Sequence, residues 1–395
     1  MHFITVQEAF DVLNKHVPSP QTISLPLLSA KGSFASVAIY APIAVPPFDN
    51  SAMDGYAIRF DDWQNGKNIT PVGTIKAGDT QKQLVSEGEA YKIFTGAPIP
   101  EGADTVVMKE WVSTDDVELK FLDKVVNKGD HIRLQGSQTQ KNAVILNKGA
   151  LINSGVISFL ATFGFTHIDV YAKPKVSIVI TGDELVQPGK SLSFGQIYES
   201  NGITLTSLLN DLGIETGQPI IVKDTLEDTT KCISLALENS DIVLITGGIS
   251  VGDFDFVQTS LENSGVQKLF YKILQKPGKP IYAGKKNNQM VFALPGNPAA
   301  VFSCFHTYVK PFILKFMNPE REFITFKKGM AANTYQKKPG LTNWVKAFHE
   351  NGEIHFLQGQ ESYRMDSFAQ ANALVCLPAD LEFCARGTSI DFIEI

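Results

Sequence analysis

The stretch Asp241–Gln258, DIVLITGGISVGDFDFVQ, constrains this chain more than any other. Ile242 to Ile245 is an unbroken apolar run rich in β-branched residues, the pattern of a strand buried on both faces of a parallel sheet. Thr246-Gly247-Gly248 breaks the run, and Gly252 follows within a few residues. From Phe254 the spacing turns helical, with Phe254, Val257 and Leu261 at i, i+3 and i+7 and Gly265 as the stop. The unit is therefore strand, glycine-rich turn, helix. In an open α/β sheet such a turn lies at the carboxyl edge of the strands, where ligands bind. Backbone N–H groups exposed there favour an anion. Asp253 and Asp255 in the same turn would repel it, unless a divalent cation such as Mg²⁺ bridges carboxylates and phosphates. A purely structural explanation exists for each residue: Asp253 caps the helix and the glycines make a tight turn. The loop alone leaves both open.

The surrounding chain repeats the unit. VSIVI (Val176 to Ile180) reads as a buried strand and runs into Thr181-Gly182-Asp183-Glu184. Ser200 is placed to cap a helix whose apolar face carries Leu205, Leu208, Leu209 and Leu212, ending at Gly213. PIIVKD ends a further strand on Asp224, and a helix over 226–239 leads into the opening stretch. KLFYKI, the turn KPGKP with Lys276 and Lys279, and MVFALPGNP complete the series, with Asn297 capping a last helix that has Pro298 at its first position. Strands alternating with helices predict a doubly wound parallel sheet. All of its turns then lie along one edge, and acids, glycines and two lysines together describe a pocket for a metal and a phosphorylated ligand.

On either side of this region the pattern changes. Thr5-x-x-Glu8 is a capping box, and Val6, Ala9, Phe10, Leu13 and Val17 form one helical face. The run APIAVPP leads into a segment, Phe48 to about Lys141, where short strand-like runs (Tyr91 to Phe94, Thr105 to Met108, Val117 to Phe121) alternate with Gly, Pro and Asp clusters. It opens with FDNSAMDGYAIR, a polar turn with acids, Asp49 and Asp54, at both ends. Helical character returns around Ser154 to Phe163. Beyond Asn318 the chain is β-patterned, with Asn351-Gly352 between alternating runs as a hairpin signal and GTSIDFIEI as a closing strand. A small barrel or sandwich is expected.

Bulk properties exclude several classes. At 395 residues the chain exceeds one ordinary core, and two to four domains are expected. A formal charge of −6 without a concentrated Lys/Arg block argues against a nucleic-acid surface. Four cysteines lacking Cys-x-x-Cys spacing indicate neither a zinc knuckle nor a disulfide framework, and fit a reducing, cytoplasmic setting. The N-terminus, MHFITVQEAF, shows no signal-peptide pattern. The most membrane-like segment, Ala299 to Met317, is interrupted by His306, Lys310 and Lys315 and reads as a core helix.

PPFDNSAMDGYA, FTGAPIPEGADTVVM, TGDEL, GQIYESN, TGGISVGDFD, KPGKP and LPGNP occur in one order along essentially the whole chain. In this the chain resembles the molybdopterin molybdenumtransferases, the MoeA family, whose eukaryotic relatives include the C-terminal domain of gephyrin. The resemblance implies a multidomain α/β plus β protein. Its parts would be a helical linker domain (1–42 with 142–170), an inserted β-rich domain (43–141), a molybdopterin-binding α/β domain (171–317) and a C-terminal β-barrel (318–395). It implies a homodimer that takes adenylated molybdopterin and molybdate, cleaves the pyrophosphate, releases AMP and leaves molybdenum on the pterin dithiolate.

The same resemblance implies the site. Asp54, Asp224, Asp255, Lys276 and Lys279 would be catalytic, with Asp224 and Asp255 on Mg²⁺ and Asp54 lent to the cleft of the partner copy. Thr181, Gly182, Asp183, Glu184, Ser200, Asn201, Thr246, Gly247, Gly248, Ser250, Gly252 and Asp253 would hold the pterin nucleotide, together with Pro295, Gly296, Asn297, Pro298 and Ser362. Expected partners are a molybdopterin adenylyltransferase and molybdoenzymes, with no nucleic acid and no membrane. The chain departs from the family at Leu134 to Gln138, where an Arg-rich run followed by Glu-Asp is usual. It departs again at Leu341 and Lys346, which replace arginines, while Ser362 and Ser367 remain. A molybdopterin adenylyltransferase or a non-catalytic pterin-binding scaffold are the alternative readings.

Overall fold

A computed structural model describes residues 3–114, 117–249 and 256–395. The chain divides into two compact units, one of Met1–Ser24, Gly32–Phe34 and Asp169–Ile395, the other of Leu25–Lys31 and Ala35–Ile168.

In the larger unit a six-stranded sheet has the order Ile220–Val222, Val176–Thr181, Ile242–Thr246, Gln289–Leu294, Tyr282–Lys286, Gln267–Tyr271. The first four strands are parallel, with Val176 opposite Ile242 and Ile242 opposite Met290. Tyr282–Lys286 runs antiparallel to both of its neighbours. The expected parallel sheet is thus a mixed one. Its antiparallel strand follows from a short connection: the turn at Asn287, with φ +55°, joins Lys286 directly to Gln289 and leaves no length for a crossover helix.

Burial on both faces explains the unbroken apolar runs. Ile242 and Leu244 enter one core cluster with Leu205, Leu209, Val301 and Phe312 of covering helices. Val243 and Ile245 enter the other, with Ile233, Leu237, Val257 and Leu261. Neighbours along the strand alternate between these layers because strand side chains have a period of two. Truncating Leu244, which is fully buried, to alanine would cost about 2–5 kcal/mol. Helix Val6–Lys15 adds to the first layer through Val6, Ala9, Phe10 and Leu13, and its capping box is formed, with Glu8 N–H on Thr5 Oγ1 at 3.2 Å.

The rest of the larger unit holds a closed barrel of five strands. Thr342–Glu350 pairs with Glu353–Phe356, which pairs with Lys327–Ala331, then Ser389–Glu394, then Ala373–Leu377, and back to Thr342–Glu350. Its hairpin turns on Asn351 (φ +51°) and Gly352 (φ +84°), the double positive-φ conformation for which Asn-Gly is favoured. A short strand, Gln275–Lys276, pairs in parallel with Thr342 and Asn343 and ties the KPGKP turn to the barrel.

The smaller unit contains a four-stranded sheet ordered Thr70–Ile75, Glu89–Ile93, Gly55–Ile58, Thr105–Met108. Gly55 is required there: a Cβ at this position would lie 2.0 Å from the Val107 carbonyl oxygen. Among the described residues, no helix is long and apolar enough to cross a membrane.

Candidate active site

Four strands of the larger unit, ending at Thr181, Val222, Thr246 and Leu294, deliver their turns to one edge of the sheet, and a cleft of about 510 Å³ opens there. The glycines of TGG are demanded by close approach. Gly247 (φ +86°) and Gly248 (φ +57°) occupy left-handed backbone, and a Cβ on Gly247 would fall 2.5 Å from the Thr181 carbonyl oxygen. No other residue lets these two turns approach so closely. Tyr271 Oη, on the edge strand Gln267–Tyr271, donates to the Ile249 carbonyl at 2.6 Å and fixes the end of the glycine turn.

Asp183 and Asp224 clasp the first two turns together. Asp183 N–H donates to Asp224 Oδ2 at 3.2 Å, and Asp224 N–H donates to Asp183 Oδ1 at 3.4 Å. On the opposite wall, Asn201 Nδ2 donates to the Gly296 carbonyl at 2.8 Å, which leaves its buried Oδ1 without a partner. Thr246 Oγ1 is buried and unpartnered as well. Asn297 Nδ2 donates to Ser362 Oγ at 3.1 Å, so a barrel loop reaches the cleft wall. The residues of the wall are therefore fixed largely by one another.

Of the residues expected from sequence, Thr181, Gly182, Glu184, Ser200, Asn201, Asp224, Gly247, Gly248, Pro295, Gly296, Asn297 and Pro298 line the cleft. Asp183 and Ser362 reach it through Asp224 and Asn297. Ser200 and Asn297 stand at helix N-caps as expected, but neither side chain makes the cap hydrogen bond. Ser250, Gly252, Asp253 and Asp255 lie outside the described residues. Among the described residues, no group of three or more His, Cys, Asp or Glu is arranged to hold a metal.

Lys276 and Lys279 are exposed and do not line the cleft. Their turn is at the right edge, but Pro280 is its lining residue, and Lys279 Nζ lies 4.8 Å from the centre of the Phe3 ring. Lys346 stands where the resemblance expects an arginine. Its side chain is 1% exposed and its ammonium is spent on main-chain carbonyls. Val345 and Ala347 enter the barrel core, so the period of two sends Lys346 to the outer face with Trp344, where the loop 357–368 covers it.

Asp54 belongs to the smaller unit. Its carboxylate accepts from Thr95 N–H at 3.0 Å and Thr95 Oγ1 at 2.9 Å, and Lys109 Nζ lies 3.5 Å away. The Thr95 main-chain and hydroxyl hydrogen bonds, then the Lys109 charge, hold its pKa below the ordinary carboxylate value.

Sequence reasoning missed Leu185, Ile197, Tyr198, Glu199, Ile249 and Pro280 of the lining. Glu199 is the most informative of these. It is 5% exposed, and its Oε1 accepts from Gly202 N–H at 2.7 Å, capping helix Asn201–Asp211 with a charge in place of the Ser200 hydroxyl. The signal was present in GQIYESN, an acid two residues before the helix, but Ser200 offered the commoner cap.

Comparisons with known proteins cover the whole chain. Three family models match: the MoeA N-terminal region (domain I and II) over residues 4–164, a probable molybdopterin binding domain over 177–315, and the MoeA C-terminal region (domain IV) over 328–395. The chain is 33% identical over 400 residues to a molybdopterin molybdenumtransferase of Staphylococcus epidermidis, covering 99% of this chain and 95% of the relative. It is 32% identical over 398 residues to that of Haemophilus influenzae, covering 98% and 97%. Crystal structures of the molybdopterin biosynthesis protein MoeA from Pyrococcus horikoshii are similar throughout. One has a TM-score of 0.86 at 27% identity over 100% of this chain and 99% of that one. A second has a TM-score of 0.83 at 28% identity over the full length of both.

Proposed function

Since this chain belongs to the MoeA family, we propose that it is a molybdenum insertase of molybdenum cofactor biosynthesis. In this reading it takes adenylated molybdopterin and molybdate, cleaves the phosphoanhydride with release of AMP, and delivers molybdenum to the pterin dithiolate. The observation that carries the reading is the glycine-walled cleft at the carboxyl edge of the sheet, placed within a chain that aligns with the family from end to end.

Each wall has a task in that chemistry. The Gly247-Gly248 turn leaves main-chain surface open to an extended phosphate chain, since any side chain there would collide with Thr181. Asn201 Oδ1 is a buried acceptor in need of a donor, which a pterin or purine N–H supplies. Asp224 and Glu184 are hard oxygen donors at the same edge and suit Mg²⁺, whose remaining positions substrate phosphates and water would fill. When bound, Mg²⁺ neutralises charge on the phosphates. Asp183 keeps the Asp224 carboxylate oriented through their paired hydrogen bonds. Lys276 and Lys279, exposed on the turn beside Pro280, are read as long cationic arms that meet an incoming oxyanion such as molybdate.

The reading extends to four domains per subunit and a cytoplasmic homodimer in which Asp54 of one copy serves the cleft of the other. The low pKa of Asp54 suits it to act as a fixed negative charge or acceptor.

The test is anaerobic turnover of adenylated molybdopterin with Mg²⁺ and molybdate, following AMP and assembled cofactor. Formation of both products is expected. Tight ligand binding without either product would replace the insertase with a binding scaffold. Adenylated product formed from ATP and molybdopterin would indicate an adenylyltransferase.

A further inference from the structure

We infer that Lys346 is a positioning residue for the cleft, acting through the barrel loop 357–368 that brings Ser362 against Asn297. The inference rests on the functional reading above and adds a residue to it.

The loop is built around a single ammonium. Lys346 Nζ donates to the Gly359 carbonyl at 2.7 Å, the Arg364 carbonyl at 2.8 Å and Ser367 Oγ at 2.8 Å, with the Glu361 carbonyl at 3.3 Å. It also lies 4.9 Å from the centre of the Phe368 ring. An ammonium has three N–H donors, and all three are used by one chain segment. The main chain of Lys346 is bracketed as well: its N–H donates to Gln360 Oε1 at 3.0 Å, and its carbonyl accepts from Gln360 Nε2 at 2.8 Å. Ser367 Oγ donates back to the Gly359 carbonyl at 2.8 Å and closes the loop on itself.

A buried cation is costly unless its donors are satisfied, so this loop and this lysine stabilise each other or neither is stable. Midway along the loop, Ser362 receives the Asn297 amide at 3.1 Å, and Asn297 lines the cleft. The charge is thus used to hold a hydroxyl at the cleft wall. Burial pushes the ammonium's pKa down, Asp366 and Glu361 push it back up, and Arg364 opposes them. A surface lysine would have no such coupling to loop order.

The experiment compares full-length wild type with Lys346→Met, Ser362→Ala and the double variant, by hydrogen exchange and by kcat/KM for adenylated molybdopterin. In Lys346→Met the amides of 357–368 exchange at least about tenfold faster, while those of strand Ala373–Leu377 are unchanged. Both single variants lose about tenfold in kcat/KM, and the double variant loses no more than the larger single loss. Unchanged exchange in a folded Lys346→Met protein, or losses that multiply in the double variant, would overturn the inference. If Lys346→Met does not fold, Ser367→Ala poses the same question with the ammonium retained. If wild type shows no turnover, the insertase reading fails, while the exchange data still decide whether Lys346 orders the loop.

Discussion

The main-chain N–H groups of Asp183 and Asp224 each donate to the other residue's carboxylate, at 3.2 and 3.4 Å, across two neighbouring strands of the sheet. Two acids at adjacent strand ends would ordinarily repel. Here each is partly neutralised by the backbone dipole of the other, which lets a pair of carboxylates persist at the rim of the cleft.

Asp224→Asn keeps an oxygen acceptor for Asp183 N–H and removes the charge. The expected outcome is a loss of about a hundredfold in turnover or in Mg²⁺ affinity, with an unchanged melting temperature. Turnover against Mg²⁺ concentration and a thermal melt check it, and near-normal Mg²⁺ dependence would remove Asp224 from the metal site.

Thr95→Val deletes the hydroxyl hydrogen bond to Asp54 and keeps the main-chain one. The Asp54 midpoint should rise toward the ordinary carboxylate value, as followed by carbon-detected NMR titration. The sign is that of a depressed acid: ionised Asp54 contributes stability above the unfolded value, and the contribution is lost as pH falls through the lowered one. A midpoint that does not move would show that the hydroxyl bond has no part in the shift.

Gln275 is 1% exposed and joins three parts of the larger unit. Its Oε1 accepts from Trp344 Nε1 at 3.0 Å and from Tyr308 Oη, and its Nε2 donates to the Gly278 carbonyl at 3.0 Å in the KPGKP turn. Gln275→Leu strands an indole N–H, a phenol and a carbonyl in the core. A destabilisation of about 2–4 kcal/mol is expected in urea unfolding. A change under about 0.5 kcal/mol would mean that these groups find other partners.

His306 sits 5% exposed in a π-helical turn, Phe305–Val309, between the rings of Phe302 and Phe305, with both ring nitrogens unpartnered. Burial, with a smaller contribution from the Lys310 charge, pushes its pKa down to about 3. The unfolded chain then binds more protons than the native one between the ordinary histidine value, about 6.5, and about 3, so stability falls as pH falls across that window. The loss approaches about 5 kcal/mol at the acid end. His306→Phe should flatten the dependence of melting temperature on pH in that range. An identical profile in the variant would assign the acid loss to other groups.

Much of the larger unit was legible in its sequence. The two-faced strand Ile242–Thr246, the helix Leu226–Asn239, the capping box at Thr5 and the Asn351-Gly352 hairpin all formed where local pattern placed them. Twelve residues named from the strand-end turns or from the family resemblance line the cleft, and those at strand ends do so because a parallel α/β sheet gathers its turns at one edge. That Lys276 and Lys279 stand outside the cleft lining was not legible, because charge on a turn says nothing about which way the side chains leave it. The burial of Lys346 was not legible for a related reason. A lysine in a strand reads as solvent-facing, and only the loop folded over it supplies the carbonyls that make burial tolerable.

By itself, then, the sequence determined the order of elements, the sheet edge where the cleft opens, and the glycines of the TGG turn. These follow from periodicity and backbone sterics within a few residues. Tertiary structure alone decided that Asp183 and Asp224 clasp each other, that Glu199 displaces Ser200 as the cap, and that the loop of Ser362 folds over Lys346. Those outcomes depend on which groups, distant along the chain, are left to satisfy one another once water is excluded. At Lys346 the outcome is a buried charge on which several hydrogen bonds converge.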